Sequence, residues 1–373
     1  MKITGVDVRR VVVPHLYPYR GAWQPPNYLE RSRGASIVKI ETDEGLVGWG
    51  IGDLTDEAVI RNIVSPALLG TDPRAVGHHI EIVRMTGAYI VDMALCDLVG
   101  KVAGEPLHRV WGYRDTRIRA YASTIVAASA SKRAEDAQRY LEQGFTAIKL
   151  RIAFPTMAED IGLVEAVRNA VGDRMEIMVD ANINHSAGSD HRNVWTYDRA
   201  VSTARELEEL NVIWLEEPLL RDDVEGITRL TQETSIAIAG GEGDIGISAF
   251  IRLVDAGAYD ILQPDCNSCE GLSQFIGMAG AFEIAGRQLI PHHGVTGLGL
   301  AAHLQFSACV SNSRYVEYIL DPPYRTVEHY QQLGGIIRDP QHIDAEGYLP
   351  VPTEPGLGVA IDEEAIARYE VAI

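Results

Sequence analysis

The 373-residue chain is short of positive charge, of cysteine and of long apolar runs. Lys and Arg total 33 against 52 Asp and Glu, a net charge of −19. That balance excludes wholesale binding of a nucleic-acid backbone, which requires basic side chains facing phosphates. An acidic fold that handles an anionic small molecule needs a local positive centre instead, such as a metal ion. The longest apolar stretch, FIGMAGAFEIAG, is broken by Glu283, so no membrane span is expected. The N-terminal MKITGVDVRRVVVP alternates like a strand and lacks the apolar core and cleavage site of a signal peptide. Four cysteines in so long a chain make no disulfide framework, and a reducing cytoplasm is the expected compartment. Cys266 and Cys269 form a C-x-x-C, but a zinc site would want two more ligands at similar spacing, and Cys96 and Cys309 stand apart. Low-complexity segments are absent, and no G-x-G-x-x-G follows the first strand, which disfavours a doubly wound dinucleotide fold.

What is present is a large apolar fraction, 46%, and a change of texture along the chain. Residues 1–55 read as strands, with the turn TDEG inside ASIVKIETDEGLVGWG. Between the strands, residues 15–33 form a Pro-, Gly- and aromatic-rich stretch, long for a plain connection and suited to a lid. Residues 56–110 read as helical, with AYIVDMALCDLVGKVAG the clearest amphipathic helix. From residue 118, eight short apolar runs alternate with helical patterns: IRAYAST, TAIKLR, MEIMVD, VIWLEE, IAIAGGE, DILQPD, QLIPHH and RYVEYI. That alternation predicts a parallel β/α barrel. After residue 320 the rhythm stops, and the loop-rich remainder is expected to fold back on the N-terminal region. The division expected is a capping domain over 1–117, a barrel over 118–320 and a returning segment over 321–373.

The charged residues fall at the ends of those strands. The second ends in Lys149 and Arg151, the third in Asp180 followed by Asn182, the fourth in Glu216, the fifth in Glu242. The sixth ends in Asp265, the seventh in His292 and the eighth in Glu317. In a barrel these C-terminal ends converge on one face. Asp180, Glu216 and Glu242 then make an oxygen-only cluster that suits Mg²⁺. Glu217, one residue on, points to the other side of the strand and is expected to pair with a cation such as an arginine. Asp265 beside His292 fixes the imidazole's tautomer and makes it a competent base, although the pattern PHHG leaves open which histidine faces inward. Glu317, if its neighbours keep it protonated, could donate a hydrogen bond to a developing oxyanion.

The ordered set K-x-R, D-x-N, E-E-P, G-E, P-D, P-H and a late Glu resembles the enolase superfamily, specifically its mandelate racemase subgroup. The resemblance covers nearly the whole chain. It implies an α+β capping domain on a modified (β/α)7β barrel, one Mg²⁺ per site held by Asp180, Glu216 and Glu242, and a barrel base in His292 paired with Asp265. It implies Glu317 as the acid on the enolate, Lys149 near the substrate carboxylate and Asn182 as a contact to substrate or ligand. The stretch 15–33 resembles the family's lid, with Tyr17, Arg20 and Trp23 as candidate substrate contacts. A homo-oligomer is implied by resemblance alone.

Where many members carry a second lysine, this chain has Arg151. Arginine stays protonated at neutral pH and is a poor base, so a racemase with a base on each face is disfavoured. A one-sided elimination that dehydrates a mono- or di-acid sugar to its 2-keto-3-deoxy product is expected; Lys149 as base is the alternative assignment. No lysine follows Lys149, so the branch with opposed lysines on the second and sixth strands, associated with cycloisomerases and dipeptide epimerases, is excluded. A barrel that binds a sugar acid without turning it over is the reading from another class.

Overall fold

The computed structural model describes residues 1–53, 55–152, 154–183 and 194–372. Three antiparallel strands, β1 (Ile3–Tyr19), β2 (Glu30–Thr42) and β3 (Val47–Gly52), form the first sheet in that order. The turn at TDEG joins β2 to β3, with Gly45 at φ +81 supplying the left-handed backbone that the reversal requires. The stretch read as a long lid loop is strand at both ends: β1 runs to Tyr19 and β2 starts at Glu30, paired with each other, so the connection is 20–29.

The helix Tyr89–Ala103 packs on this sheet. Its sequence reads as amphipathic, but almost every side chain is buried, because the helix lies between the sheet and the barrel. A helix apolar all round is a core helix. Its two acids are bound: Asp97 to Lys101 at 2.7 Å and Asp92 to Ser273 through two bonds of 2.8 Å. The close approach depends on the alternate glycines of VGWGIG. A Cβ on Gly50 would lie 1.9 Å from the Ile90 carbonyl oxygen, and one on Gly48 would lie 2.2 Å from that of Ala94.

Eight parallel strands follow: β4 (Arg117–Ser123), β5 (Ala147–Arg151), β6 (Glu176–Asp180), β7 (Val212–Glu216), β8 (Ala237–Gly240), β9 (Ile261–Leu262), β10 (Gln288–Leu289) and β11 (Tyr315–Ile319). They curl in the order β10-β9-β8-β7-β6-β5-β4-β11, and Leu289 N donates to Asn312 O at 3.1 Å across the last seam. Helices on the outside connect them, several begun by side-chain caps such as Thr156 with Glu159. The two-residue period of the strands sorts their side chains. Ile148, Leu150, Ile177, Val179 and Leu215 face the helices. Tyr121, Ala147, Met178, Trp214, Ile261 and Tyr315 form a separate apolar layer inside the barrel.

The C-terminal segment touches both halves. β12 (Tyr348–Pro350) pairs antiparallel with β4, while Val371 N bonds Arg10 O on β1 at 3.0 Å.

Candidate active site

One period above the interior apolar layer, the same strands present charge. Arg151 pairs in register with Asp180, and Asp180 with Glu216. One ligand oxygen each of Asp180, Glu216 and Glu242 lies within 4.8 Å of the others. Asp180 and Glu216 are fully buried. Burial and the facing Glu216 push the Asp180 carboxyl up. Three hard carboxylate donors converging in a buried space fit a divalent cation such as Mg²⁺.

Lys149 lies among these acids, fully buried, with Nζ 2.8 Å from Glu216 Oε1 and 2.9 Å from Glu317 Oε1. Burial alone would lower its pKa, but Glu216 and Glu317 raise it above the usual lysine value. Lys149 does not line the cleft. Glu317 also accepts from Ser123 Oγ at 2.6 Å. Burial would raise the Glu317 carboxyl, but Lys149 and the nearby imidazoles hold it well below the carboxylate range. Glu317 Oε1 is thus an acceptor with two donors aimed at it, while Oε2 is buried with no hydrogen-bond partner among the described residues. Glu317 also sits in mid-β11 rather than at the strand's end.

Arg151 does reach the cleft. It is anchored through Nε to Thr124 O at 2.7 Å, through Nη1 to Asp180 and to Asn182 Oδ1 at 3.1 Å, and its guanidinium stacks 5.2 Å from the Trp23 ring centre. Asn182 takes a left-handed backbone, φ 47, that turns it back to donate N–H and Nδ2 to Asp180 at 2.8 and 3.0 Å. Glu217, also at positive φ, is buried and meets Arg221 at 3.5 Å, while burial and the Glu242 and Asp180 charges push its carboxyl well up.

Both histidines of PHHG line the cleft, but in different states. His292 Nδ1 meets Asp265 Oδ2 at 3.1 Å, and Nε2 lies 3.2 Å from Glu242. Burial would lower this imidazole, but Glu242 and then the Asp265 bond hold it up at about 10. Asp265 is a carboxylate: its burial is outweighed by the His292 bond and the imidazoles of His303, His292 and His293; it also accepts from Gly294 N, Asn267 N and Asn267 Nδ2. His293 accepts from Val295 N at 2.8 Å, packs against Tyr330, and is kept neutral by burial and by His292.

Of the three lid candidates, Trp23 lines the cleft. Tyr17 points outward, half-exposed, and Arg20 binds Gln24 O within its own loop at 3.2 Å. Sequence reading missed the rest of the cap-side wall: Tyr19, Glu30, Arg33, Asp53, Arg325 and Tyr330. Glu30 accepts from Tyr19 at 2.8 Å, Arg325 at 2.8 Å and Gln24 at 3.0 Å, and meets His15 at 3.1 Å. Its burial is outweighed by these partners, which lower its carboxyl to about 2. The sequence signal for this group is the density of Tyr, Pro and Arg in residues 15–33 and in the stretch after residue 320.

Residues 132–365 match the family model "Enolase C-terminal domain-like", and residues 31–112 match "Mandelate racemase / muconate lactonizing enzyme, N-terminal domain". The chain belongs to the enolase superfamily, in the company of mandelate racemase. The D-galactarolactone cycloisomerase of Agrobacterium fabrum is 29% identical over 91% of this chain and 92% of its own. The arabinonate dehydratase of Saccharolobus solfataricus is 29% identical over 89% and 90%. The 3,6-anhydro-alpha-L-galactonate cycloisomerase of Streptomyces coelicolor is 32% identical over 75% and 71%. Among solved structures, an enolase superfamily member from Polaromonas sp. JS666 superposes with TM-score 0.84 at 27% identity, over 100% of this chain and 98% of its own. A Streptomyces coelicolor racemase with bound magnesium gives TM-score 0.84 at 25% identity, over 99% and 100%. Two of these relatives are named cycloisomerases. The lack of a second lysine excludes one arrangement of bases, not ring opening as such.

Proposed function

We propose that this member of the superfamily removes the proton α to the carboxylate of an acid sugar and expels the substituent on the next carbon, forming a 2-keto-3-deoxy acid. The observation that carries this reading is the asymmetry of the cleft: an imidazole, His292, on one side and an arginine, Arg151, on the other. A racemase needs groups on both faces that can give and take a proton, and a guanidinium does not give one up near neutrality. Lys149 as base is disfavoured by its two carboxylate partners, Glu216 and Glu317, which hold its ammonium protonated.

Asp180, Glu216 and Glu242 are the residues to hold Mg²⁺, which when bound supplies Lewis-acid stabilisation of negative charge on the substrate carboxylate. The remaining work falls to the chain. Asp265 accepts from Nδ1 of His292, which leaves the Nε2 lone pair turned to the cleft. The charge that most raises His292 is that of Glu242, itself one of the residues that would hold the cation; a cation there would offset that charge and favour a neutral, proton-accepting imidazole. His292 takes the α-proton as the C–H pair moves onto the carboxylate, and Asp265 stabilises the imidazolium. As that electron pair returns to form the C2–C3 double bond, the C3–O bond breaks and His292 returns the proton to the departing hydroxyl. Water leaves, and the enol product tautomerises to the 2-keto acid. Arg151, held by Thr124, Asp180 and Asn182, stays cationic and fixes the anionic end of the substrate.

The cycloisomerase relatives favour one further reading, in which the leaving oxygen belongs to a ring. The same two bonds break, but nothing departs, and the product is an isomer of the substrate. The test is a panel of acid sugars, their lactones and anhydro forms, incubated with Mg²⁺ and followed by keto-acid release and by mass. Dehydration gives a keto acid lighter by one water; ring opening gives one of unchanged mass. α-Proton exchange in D₂O with inversion and no keto acid identifies a racemase and sinks the proposal.

A further inference from the structure

The cleft is built from two sides with different electrostatics. The barrel side carries Arg151, Asn182, Glu242 and His292, the groups that handle the reacting carboxylate. The cap side is walled by the end of β1, the start of β2 and the segment after β11. That segment is fixed by Asp321, which takes Arg133 through two bonds of 2.8 Å and accepts from Ile125 and Val126 N–H at 2.8 and 2.9 Å. It thereby aims Arg325 at the lid hairpin.

Among the described residues, each cationic side chain lining the cap side already has its anion. Arg325 pairs with Glu30 at 2.8 Å, and Arg33 pairs with Asp53 at 2.6 Å. Glu30 is locked as a carboxylate by Arg325, Tyr19, Gln24 and His15. His293, at the junction of the two sides, is uncharged. Yet two hydrogen-bond donors there are unspent: Arg325 Nη1 and Arg33 Nε are buried and have no hydrogen-bond partner among the described residues. Arg325 is itself 6% exposed. A buried donor without a partner costs free energy that a ligand oxygen recovers.

We propose that this wall makes the enzyme a mono-acid selector, taking aldonates, whose far end is a neutral polyol, and rejecting aldarates, whose far end is a second carboxylate. The inference rests on the acid-sugar reading of the barrel side and narrows it. A hydroxyl of the tail adds no charge, and a small shift of either side chain would bring Arg325 Nη1 or Arg33 Nε into reach as a donor to it. A second carboxylate arrives beside ionised Glu30 with no uncompensated cation to meet it, and desolvating it there is unfavourable. Glu30 is the specificity-determining residue, because its charge cancels the guanidinium that would otherwise receive an anion.

The test compares five- and six-carbon aldonates with aldarates of matching configuration, in Mg²⁺. Wild-type protein should show kcat/KM for the best aldonate about a hundredfold above that for its aldarate, the scale of a like-charge clash at a buried site. An aldarate turned over equally well or better overturns the proposal. Binding by calorimetry to the His292→Asn protein reads the same preference without turnover. Aldonates binding more tightly there sustain selection even if the chemistry differs from dehydration. Equal affinity, aldarate preference or no binding of either class overturns it. Glu30→Gln should narrow the aldonate-to-aldarate ratio about tenfold by releasing the Arg325 charge. A uniform decline of both classes at a constant ratio would mark Glu30 as structural only and count against the assignment. Should that variant not fold, the wild-type ratio and the calorimetry decide alone.

Discussion

A histidine becomes a base through what its other nitrogen does. His292 Nδ1 is occupied by Asp265, and Asp265 is itself filled by Gly294 N, Asn267 N and Asn267 Nδ2. Replacing His292 by Asn removes the proton acceptor and leaves packing nearly intact, so kcat should fall by about 10² to 10⁴, the usual worth of general-base catalysis, with little change in melting temperature. Asp265→Asn should lower kcat comparably while retaining substrate binding, because an amide no longer fixes the tautomer. Stopped-assay rates on matched, folded proteins check both, and a His292→Asn protein of wild-type activity removes the proposed base. At this scale the sequence was informative where chemistry repeats along the chain. Asp180, Glu216, Glu242, Asp265 and His292 follow successive strands, so knowing the barrel locates their meeting point. Glu30 starts β2 and Arg325 lies 295 residues on, in the segment after β11, and no local pattern announces that they meet.

Elements here are defined as much by what they lack as by what they pack. The cap sheet receives the Tyr89–Ala103 helix backbone-to-backbone because β3 offers glycines where side chains would stand. The amphipathic reading of that helix failed for the same reason. Periodicity reports a wet face, and this helix has none, its two acids being satisfied internally by Lys101 and Ser273. Gly50→Ala should be among the more damaging single-methyl additions in the chain. Its Cβ would lie 1.9 Å from Ile90 O, backbone that cannot swing aside, and overpacking of this kind costs roughly 1–3 kcal/mol or more. Gly162→Ala, inside the helix Met157–Val171 with nothing within 4 Å of the added carbon, should instead stabilise by about 0.4–1 kcal/mol. Chemical denaturation of the two variants measures the contrast. Equal midpoints would mean that the cap sheet and its helix are not in the close contact described.

Across the whole molecule, the barrel was legible from alternation and the returning segment only in outline. Strand and helix patterns recur from residue 118, whereas β12 is three residues long and pairs with a strand more than two hundred positions earlier. The chain's charge also has a whole-molecule consequence. An excess of 19 negative charges surrounds a site where Asp180, Glu216 and Glu242 converge, the first two fully buried. Lys149 and Arg151 offset part of that repulsion, and a divalent cation bound there in the folded state alone stabilises it by mass action. At a hundredfold excess over Kd the gain is about 2.7 kcal/mol. Protein stripped with EDTA should therefore melt several degrees lower than protein in millimolar Mg²⁺. Monovalent salt at matched ionic strength should recover little of the difference, because screening acts on the surface rather than on the buried acids. Asp180→Asn should lose most of the Mg²⁺-dependent rise, since it removes one of three ligands. An Mg²⁺-dependent rise unchanged in that variant would place the cation elsewhere on the acidic surface and remove the electrophile from the proposed chemistry.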